Sequence, residues 1–189
     1  MQFGIELEHF YLVEGQVAKV PPTIPHDDCG WLVEYRGLPY DSPFEAVGSV
    51  LAAKKRIKLP EGAELGTENF MRVPRSVKLA CRREYVKGII NYQNLYDRAP
   101  SRLDHAGVHV SFTSPYIRRL KSGEIRINQM WDFSTLFRAL DKEFRDEIRA
   151  ARRVPGFYEL KYDGRIEYRS LPQSVDLWKV AEFLSKWRF

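Results

Sequence analysis

Along this chain, stretches of alternating polar and apolar residues give way to stretches with helical spacing, and back again. Residues 2–12 (QFGIELEHFYL) read as a strand with Ile5 and Leu7 on one face and Glu6 and Glu8 on the other. Val17–Val20 is placed to pair back on it across Glu14-Gly15, after which Pro21, Pro22 and Pro25 forbid regular structure. Trp31–Arg36 alternates as a second strand. In DSPFEAVGSVLAAKKRI, Ser42 is the predicted N-cap, Pro43 takes the first helical position and Glu45 completes a capping box. Phe44, Val47 and Leu51 follow at helical spacing, and Pro60 marks the end. A second helix is predicted over Phe133–Arg153, with Phe133, Leu136, Phe137, Leu140, Phe144 and Ile148 as its stripe and Pro155-Gly156 as its stop. A third runs from Val175 to Trp187, with Leu177, Val180, Ala181 and Leu184 inward. Val108–Ile117 and Glu124–Asn128 read as a hairpin across Lys121-Ser122-Gly123. Phe157–Tyr162 and Arg165–Leu171 read as a tighter one across Asp163-Gly164. Arg75–Tyr96 is ambiguous and leans to helix after Arg82.

Antiparallel pairs with helices between them imply an α+β architecture: one mostly antiparallel sheet with helices packed on one face. There is no repeat, low-complexity tract or linker, so the 189 residues are expected to form a single domain, 1–189. Hydrophobic (44%) and charged (29%) fractions are those of an ordinary soluble globular chain. A net charge of +5 favours anionic partners such as phosphates, nucleotides or nucleic acid without selecting among them. No apolar run is long enough for a membrane span, and the N-terminus lacks a basic-then-apolar signal pattern, so a cytoplasmic location is expected. Cys29 and Cys81 have no metal-ligand spacing and read as reduced thiols, with a single disulfide as the alternative. Walker A, dinucleotide-loop and HExxH motifs are all missing.

The chemistry lies in four strands compared side by side. Their polar sets are Glu6 and Glu8; Glu34 and Arg36; His109 and Ser111; and Arg165, Glu167 and Arg169. Each alternates with an apolar set that would pack on the helices. If the strands share a sheet, the other face gathers four glutamates, one imidazole and three arginines. The plain alternative is a solvated sheet face with cross-strand Glu–Arg pairs, each worth about 0.2–1 kcal/mol. Against it, lysine, the usual solubilising residue on exposed strands, is absent from these sets. Converging carboxylates repel unless one takes a proton or a cation sits between them. Carboxylates with one imidazole suit Mg2+ or Mn2+, and arginines beside them suit phosphate oxygens.

These residues resemble the glutamine synthetase-like carboxylate–amine ligases. An early strand there reads Gly-x-Glu-x-Glu, as Gly4-Ile5-Glu6-Leu7-Glu8 does here; a middle strand carries a histidine after a glycine, as in Ala106-Gly107-Val108-His109; a late strand reads Arg-x-Glu-x-Arg, as in Arg165-Ile166-Glu167-Tyr168-Arg169. Glu34 corresponds to a further glutamate on an intervening strand, and the short length looks most like the phage-encoded COOH–NH2 ligases. The resemblance implies a curved catalytic-domain sheet and a two-step reaction. ATP phosphorylates a carboxylate to an acyl phosphate, and an amine then displaces phosphate to leave an amide. It implies that Glu6, His109 and Glu167 hold the cation nearest the γ-phosphate, and that Glu8 and Glu34 hold a second one nearer the acceptor carboxylate. Arg165 and Arg169 would hold phosphates and the transferring group, and Arg36 a substrate carboxylate. Ser111 stands where relatives often carry a second histidine, and is taken as substrate-binding. The implied cofactors are ATP and Mg2+ (or Mn2+); the implied partners are one carboxylate and one amine substrate. A neighbouring subunit completing the site in a homo-oligomer and a minimal enzyme with a large exposed substrate both stay open. About Lys58–Ser101 is not explained by the resemblance.

The rivals are a basic α+β binding module, for nucleic acid or in a virion, whose charged sheet is inert, and a ligase relic without activity. His9 falls on the Ile5/Leu7 side and reads as structural or surface; His26 reads as a solvated loop residue; Trp31 and Trp131 read as core rather than adenine-stacking. Lys54-Lys55-Arg56 and Arg152-Arg153 read as helix C-termini complementing the dipole. Arg72, Arg75, Lys78, Arg82 and Arg83 read as a solvated face.

Overall fold

The structure, a computed structural model, describes residues 1–27, 30–66, 106–113, 117–119, 125–127, 130–151, 153, 155–161 and 164–187. The expectations for Cys29 and Cys81, Arg72, 75–96, the turn at 121–123 and Arg152 lie outside these residues.

The strand expected over 2–12 forms as β1, Gln2–Val13, and it organises the molecule. It turns at Glu14 (φ 51°) and Gly15 (φ 70°) into the short β2, Gln16–Val17. Two successive positive φ values make the tight hairpin turn that matches strand twist, and Glu14 bears the strain that glycine avoids. β3 (Leu32–Arg36) also pairs antiparallel with β1, as do β4 (Ala63–Gly66) and β5 (Gly107–Thr113). A strand has two edges. Glu6 and Leu7 face both β3 and β5, while Leu12 and Val13 face both β2 and β4. β3 and β2 therefore follow one another along one edge, and β5 and β4 along the other. β9 (Ile166–Pro172) pairs with β5, and β8 (Tyr158–Leu160) closes that side as the expected hairpin. The architecture is α+β with an antiparallel, curled sheet.

Helix α1 spans Pro43–Arg56 with Pro43 in its first turn and Lys54, Lys55 and Arg56 in its last, as expected. The capping box does not form: Ser42 is the N-cap residue, but its side chain makes no capping hydrogen bond. The long second helix is two. α2 (Met130–Glu143) and α3 (Arg145–Ala150) are separated by Phe144, whose φ of −103° and ψ of 28° leave the helical region. Phe144 and Ile148 stay buried on either side of the break, so the apolar stripe survives an interruption that side-chain spacing does not reveal. α4 covers Leu177–Ser185, and Asp176 caps it by accepting from the backbone N–H groups of Trp178 and Lys179.

The expected hairpin after residue 108 is also divided. β5 ends at Thr113 within the main sheet, and Ile117–Arg119 (β6) pairs with Ile125–Ile127 (β7) in a separate two-stranded ribbon.

The helices bury one face of the sheet. Ile5 and Leu7, Val108, Val110 and Phe112, and Ile166, Tyr168 and Leu171 meet Val47 and Val50 of α1, Leu136, Phe137 and Leu140 of α2, and Val180 and Leu184 of α4 in one core. Each such side chain contributes about 1.5–3 kcal/mol on leaving water. Aromatic rings knit α2 to the strands, Phe137 stacking on Tyr168 at 5.2 Å between centroids. That pins the sheet's parity, and with it which residues are turned to the other side.

Candidate metal centre

Parity and register place the polar residues together. Within the sheet Glu6 is opposite both Arg36 and His109, Glu8 is opposite Glu34, and Ser111 is opposite both Gly4 and Glu167. Between Val108–Leu171 and Val110–Tyr168 the pairing slips by one residue, so both Arg169 and Ser170 stand against His109. This bulge keeps Glu167 and Arg169 on the polar face while returning Leu171 to the core.

The bulge leaves carbonyls out of the regular ladder, and Arg153 collects them. Its Nε donates to Ser170 O at 3.1 Å, Nη2 to Arg169 O at 2.6 Å and Nη1 to Ala106 O at 3.2 Å. Arg153 is buried at 8% exposure, not arrayed at a helix end as the sequence suggested, because α3 stops at Ala150 and the chain turns inward.

On the polar face Glu6, Glu8, Glu34, His109, Ser111 and Glu167 are all buried. The imidazole of His109 divides them. Its Nδ1 lies 3.7 Å from Glu6 Oε2 and 3.5 Å from Glu167 Oε1. Its Nε2 lies 3.4 Å from Glu8 Oε2 and accepts a hydrogen bond from Arg169 Nε at 3.3 Å. Ser111 Oγ donates to Glu167 Oε2 at 3.4 Å. Glu34 is gripped by Arg36, Nε to Oε1 at 2.6 Å, and Arg36 is otherwise largely exposed. Arg165 Nη1 stands 4.0 Å from Glu6 Oε1.

Burial dominates the electrostatics. It raises the Glu8 carboxyl well above its ordinary range against the pull of Arg169, with Glu34 and Glu6 adding to the rise. It raises Glu34 to about 7 although Arg36 opposes it. It lowers His109 well below 6.5, helped by Arg169, so the ring is neutral and carries one proton. Phe10, Leu32 and Ala106 supply the dry wall beside Glu8 on this same face.

Two further residues join this face from β8 and the position just after it. Glu159, opposite Glu167 on β8, binds Arg169 Nη1 at 2.6 Å; Lys161 sits 3.0 Å from Glu159 Oε2 and 3.3 Å from Glu167 Oε1. Lysine is therefore present at the site after all. The signal was legible in FYELKY, where Glu159 and Lys161 alternate with Tyr158 and Leu160. His9 lies on the helix side as expected, buried between Lys54 (3.2 Å to Nε2) and Gln173, while Lys19 stacks 4.3 Å above the Trp31 ring.

Three buried polar atoms at this centre have no hydrogen-bond partner: His109 Nδ1, Glu167 Oε1 and Glu8 Oε2. One atom each from Glu6, His109 and Glu167 lie within 4.8 Å of one another. Neighbouring ligands around Mg2+ stand about 3 Å apart, at 2.0–2.1 Å from the ion, so these contacts of 3.5 and 3.7 Å need only a small contraction. The donor set of two carboxylates and one neutral imidazole fits Mg2+ or Mn2+. No family model matches the chain, and no curated protein or solved structure matches it either.

Proposed function

We propose that this protein is an ATP- and Mg2+- (or Mn2+-) dependent carboxylate–amine ligase with a glutamine synthetase-like sheet, acting through an acyl phosphate. The observation that carries the reading is the set of three buried atoms without partners. One occupant accounts for all of them. A cation held by Glu6 Oε2, His109 Nδ1 and Glu167 Oε1 would use two directly, and with Nδ1 so engaged the imidazole would carry its proton on Nε2 and donate a hydrogen bond to Glu8 Oε2, 3.4 Å away. A carboxylate behind a ligating histidine is the usual support for such a ring.

When bound, the cation supplies charge neutralisation and a template for phosphate oxygens. The protein's own part is positional. Glu6, His109 and Glu167 hold the metal from three adjacent strands, so their spacing is set by backbone pairing rather than loops. Ser111 orients Glu167 through Oε2. Arg165 and Arg169 supply guanidinium forks for phosphate oxygens and for the transferring group, where geometry and charge do most of the catalytic work. Arg36, exposed at the rim, suits a substrate carboxylate. Glu8 and Glu34, paired across β1 and β3, are the groups for a second cation.

A salt-bridged, inert binding module is the second reading, favoured by the 2.6 Å contacts of Arg36 with Glu34 and of Arg169 with Glu159. It leaves the three orphaned atoms unexplained. The deciding measurements are melting temperature with Mn2+ and Mg-ATP, and phosphate release across panels of carboxylates and amines. Binding near saturation raises the melting temperature by about 5 °C or more, and Glu167→Gln abolishes the rise. No rise with millimolar Mg-ATP or Mn2+ overturns the ligase; tight salt-dependent DNA binding indifferent to Glu6→Ala and Glu167→Ala establishes the module.

A further inference from the structure

Glu167 Oε1 is the ligand atom most crowded by the protein's own cations. Lys161 Nζ is 3.3 Å from it and Arg169 Nε is 3.4 Å away, yet neither makes a hydrogen bond to it. Both cations have a better partner in Glu159, at 3.0 Å for Lys161 and 2.6 Å for Arg169. Lys161 follows directly on the end of β8, and its side chain keeps 28% exposure.

We propose that Lys161 is a resident substitute for the divalent ion: it neutralises Glu167 in the ion-free protein, is driven off by the incoming cation, and then joins Arg169 as the binding site for an anionic phosphate-bearing ligand. This rests on the metal reading above and adds to it an order of events. An ammonium that close to a ligand oxygen and a divalent ion on the same oxygen repel strongly in a dry site. The ion also takes over the charge of Glu167, which removes half of what holds Lys161. Arg169 is affected in the same direction. The proton that moves to His109 Nε2 ends the acceptor role toward Arg169 Nε, leaving that group a donor to be used elsewhere. Two cations tied to carboxylates thus become two cations facing an anion, and only after the metal has entered. Phosphate binding is metal-dependent without any protein–phosphate–metal bridge being required.

The test uses the full chain and two probes. Free Mn2+ is followed by its EPR signal, and inorganic phosphate binding is followed by calorimetry with and without saturating Mg2+. Lys161→Met binds Mn2+ about tenfold or more tightly than wild type, whereas Lys161→Arg, which keeps the charge, does not. Wild-type protein binds phosphate at least about tenfold better with Mg2+ than without, and Lys161→Met loses that gain. Lys161→Met binding Mn2+ equally or more weakly, while wild type binds it, overturns the exchange and leaves the metal site standing. Mn2+ binding by Lys161→Met alone supports the exchange in its strongest form. No Mn2+ binding by either protein overturns both the exchange and the metal centre.

Discussion

The guanidinium of Arg153 fills the space that any side chain on residue 107 would need: a Cβ at Gly107 would lie 2.5 Å from Nη2 and 2.8 Å from Cζ of Arg153. The glycine and the arginine are two halves of one device. Gly107 lets a charged side chain from beyond α3 reach the carbonyls of residues 106, 169 and 170, and those carbonyls fix the bulge that sets Arg169 against His109.

Gly107→Ala forces that guanidinium out of its pocket, and Arg153→Met removes it. Each change leaves buried carbonyls without donors, and each is expected to lower stability by about 3–5 kcal/mol, the cost of breaking a buried charged interaction. Urea unfolding measures it. Arg153→Lys recovers only part, because one ammonium does not reproduce the spacing of the three donors. Near-neutral urea midpoints for both changes would refute the clamp.

The buried glutamates of the polar face are a burden on the fold. Glu167→Gln and Glu8→Gln each replace a buried carboxylate bearing an unsatisfied oxygen, so both variants are expected to be at least as stable as wild type at pH 8. Their Mn2+ affinities separate them. Glu167→Gln loses binding outright, while Glu8→Gln, which keeps an acceptor for His109 Nε2, loses about 10–100-fold. Destabilisation by both, with unchanged Mn2+ affinity, would count against a metal role.

His9 supplies the acid limb of stability. Burial, then the neighbouring Lys54 ammonium, push it from 6.5 down to about 4. Between these values the unfolded chain binds the proton and the native one does not, so stability rises with pH. The contribution is complete above about pH 6.5 and falls as pH drops toward 4, with a limiting slope of about 1.4 kcal/mol per pH unit. Glu34 acts in the opposite sense: raised to about 7, it holds its proton longer in the native state, and its contribution declines as pH rises from 4.5 to 7. His9→Gln therefore exposes the Glu34 limb, and urea titrations of both proteins from pH 4.5 to 8 resolve the two slopes. Parallel curves would show that His9 does not titrate as described.

Tyr168 donates to Asp141 Oδ1 at 2.5 Å, and the same carboxylate accepts from the Gly156 backbone at 2.9 Å. The contact ties β9 to α2 and to the turn that follows α3. Tyr168→Phe keeps the ring stacked on Phe137 and removes only the donor, so its cost is expected near 1–3 kcal/mol by urea unfolding. A neutral Tyr168→Phe would assign the anchoring to Gly156 alone.

Alternation alone carried most of the polar face. Glu6, Glu8, Glu34, His109 and Glu167 came together because period-two parity survives any arrangement of strands in one sheet, and register then followed from the apolar faces. Arg153 was illegible for a different reason. Its role depends on a bulge, and a bulge is one residue of slippage between two strands that no single-strand pattern records. The break at Phe144 escaped because burial of the side chain does not record whether its backbone is helical. Ser42, Pro43 and Glu45 have the letters of a capping box, yet the side-chain bond depends on a rotamer that letters do not specify. Glu159 and Lys161 are legible in the alternation of FYELKY, which places both on the face of Glu167's partner strand.

Gripping β1 along both edges has a cost in time. The acidic strand leaves the ribosome well before β5, which starts only at Gly107, and β9, which starts only at Ile166. Until β5 is made, a nascent chain carries an amphipathic strand whose Gln2–Leu7 half is bare along one edge, open to mispairing with its neighbours. Such distant pairings close slowly, on the order of milliseconds to seconds once all parts exist. In the cell this protein should lean on chaperones during its own synthesis, and the divalent ion proposed for Glu6, His109 and Glu167 would have no complete site before the β8–β9 hairpin arrives.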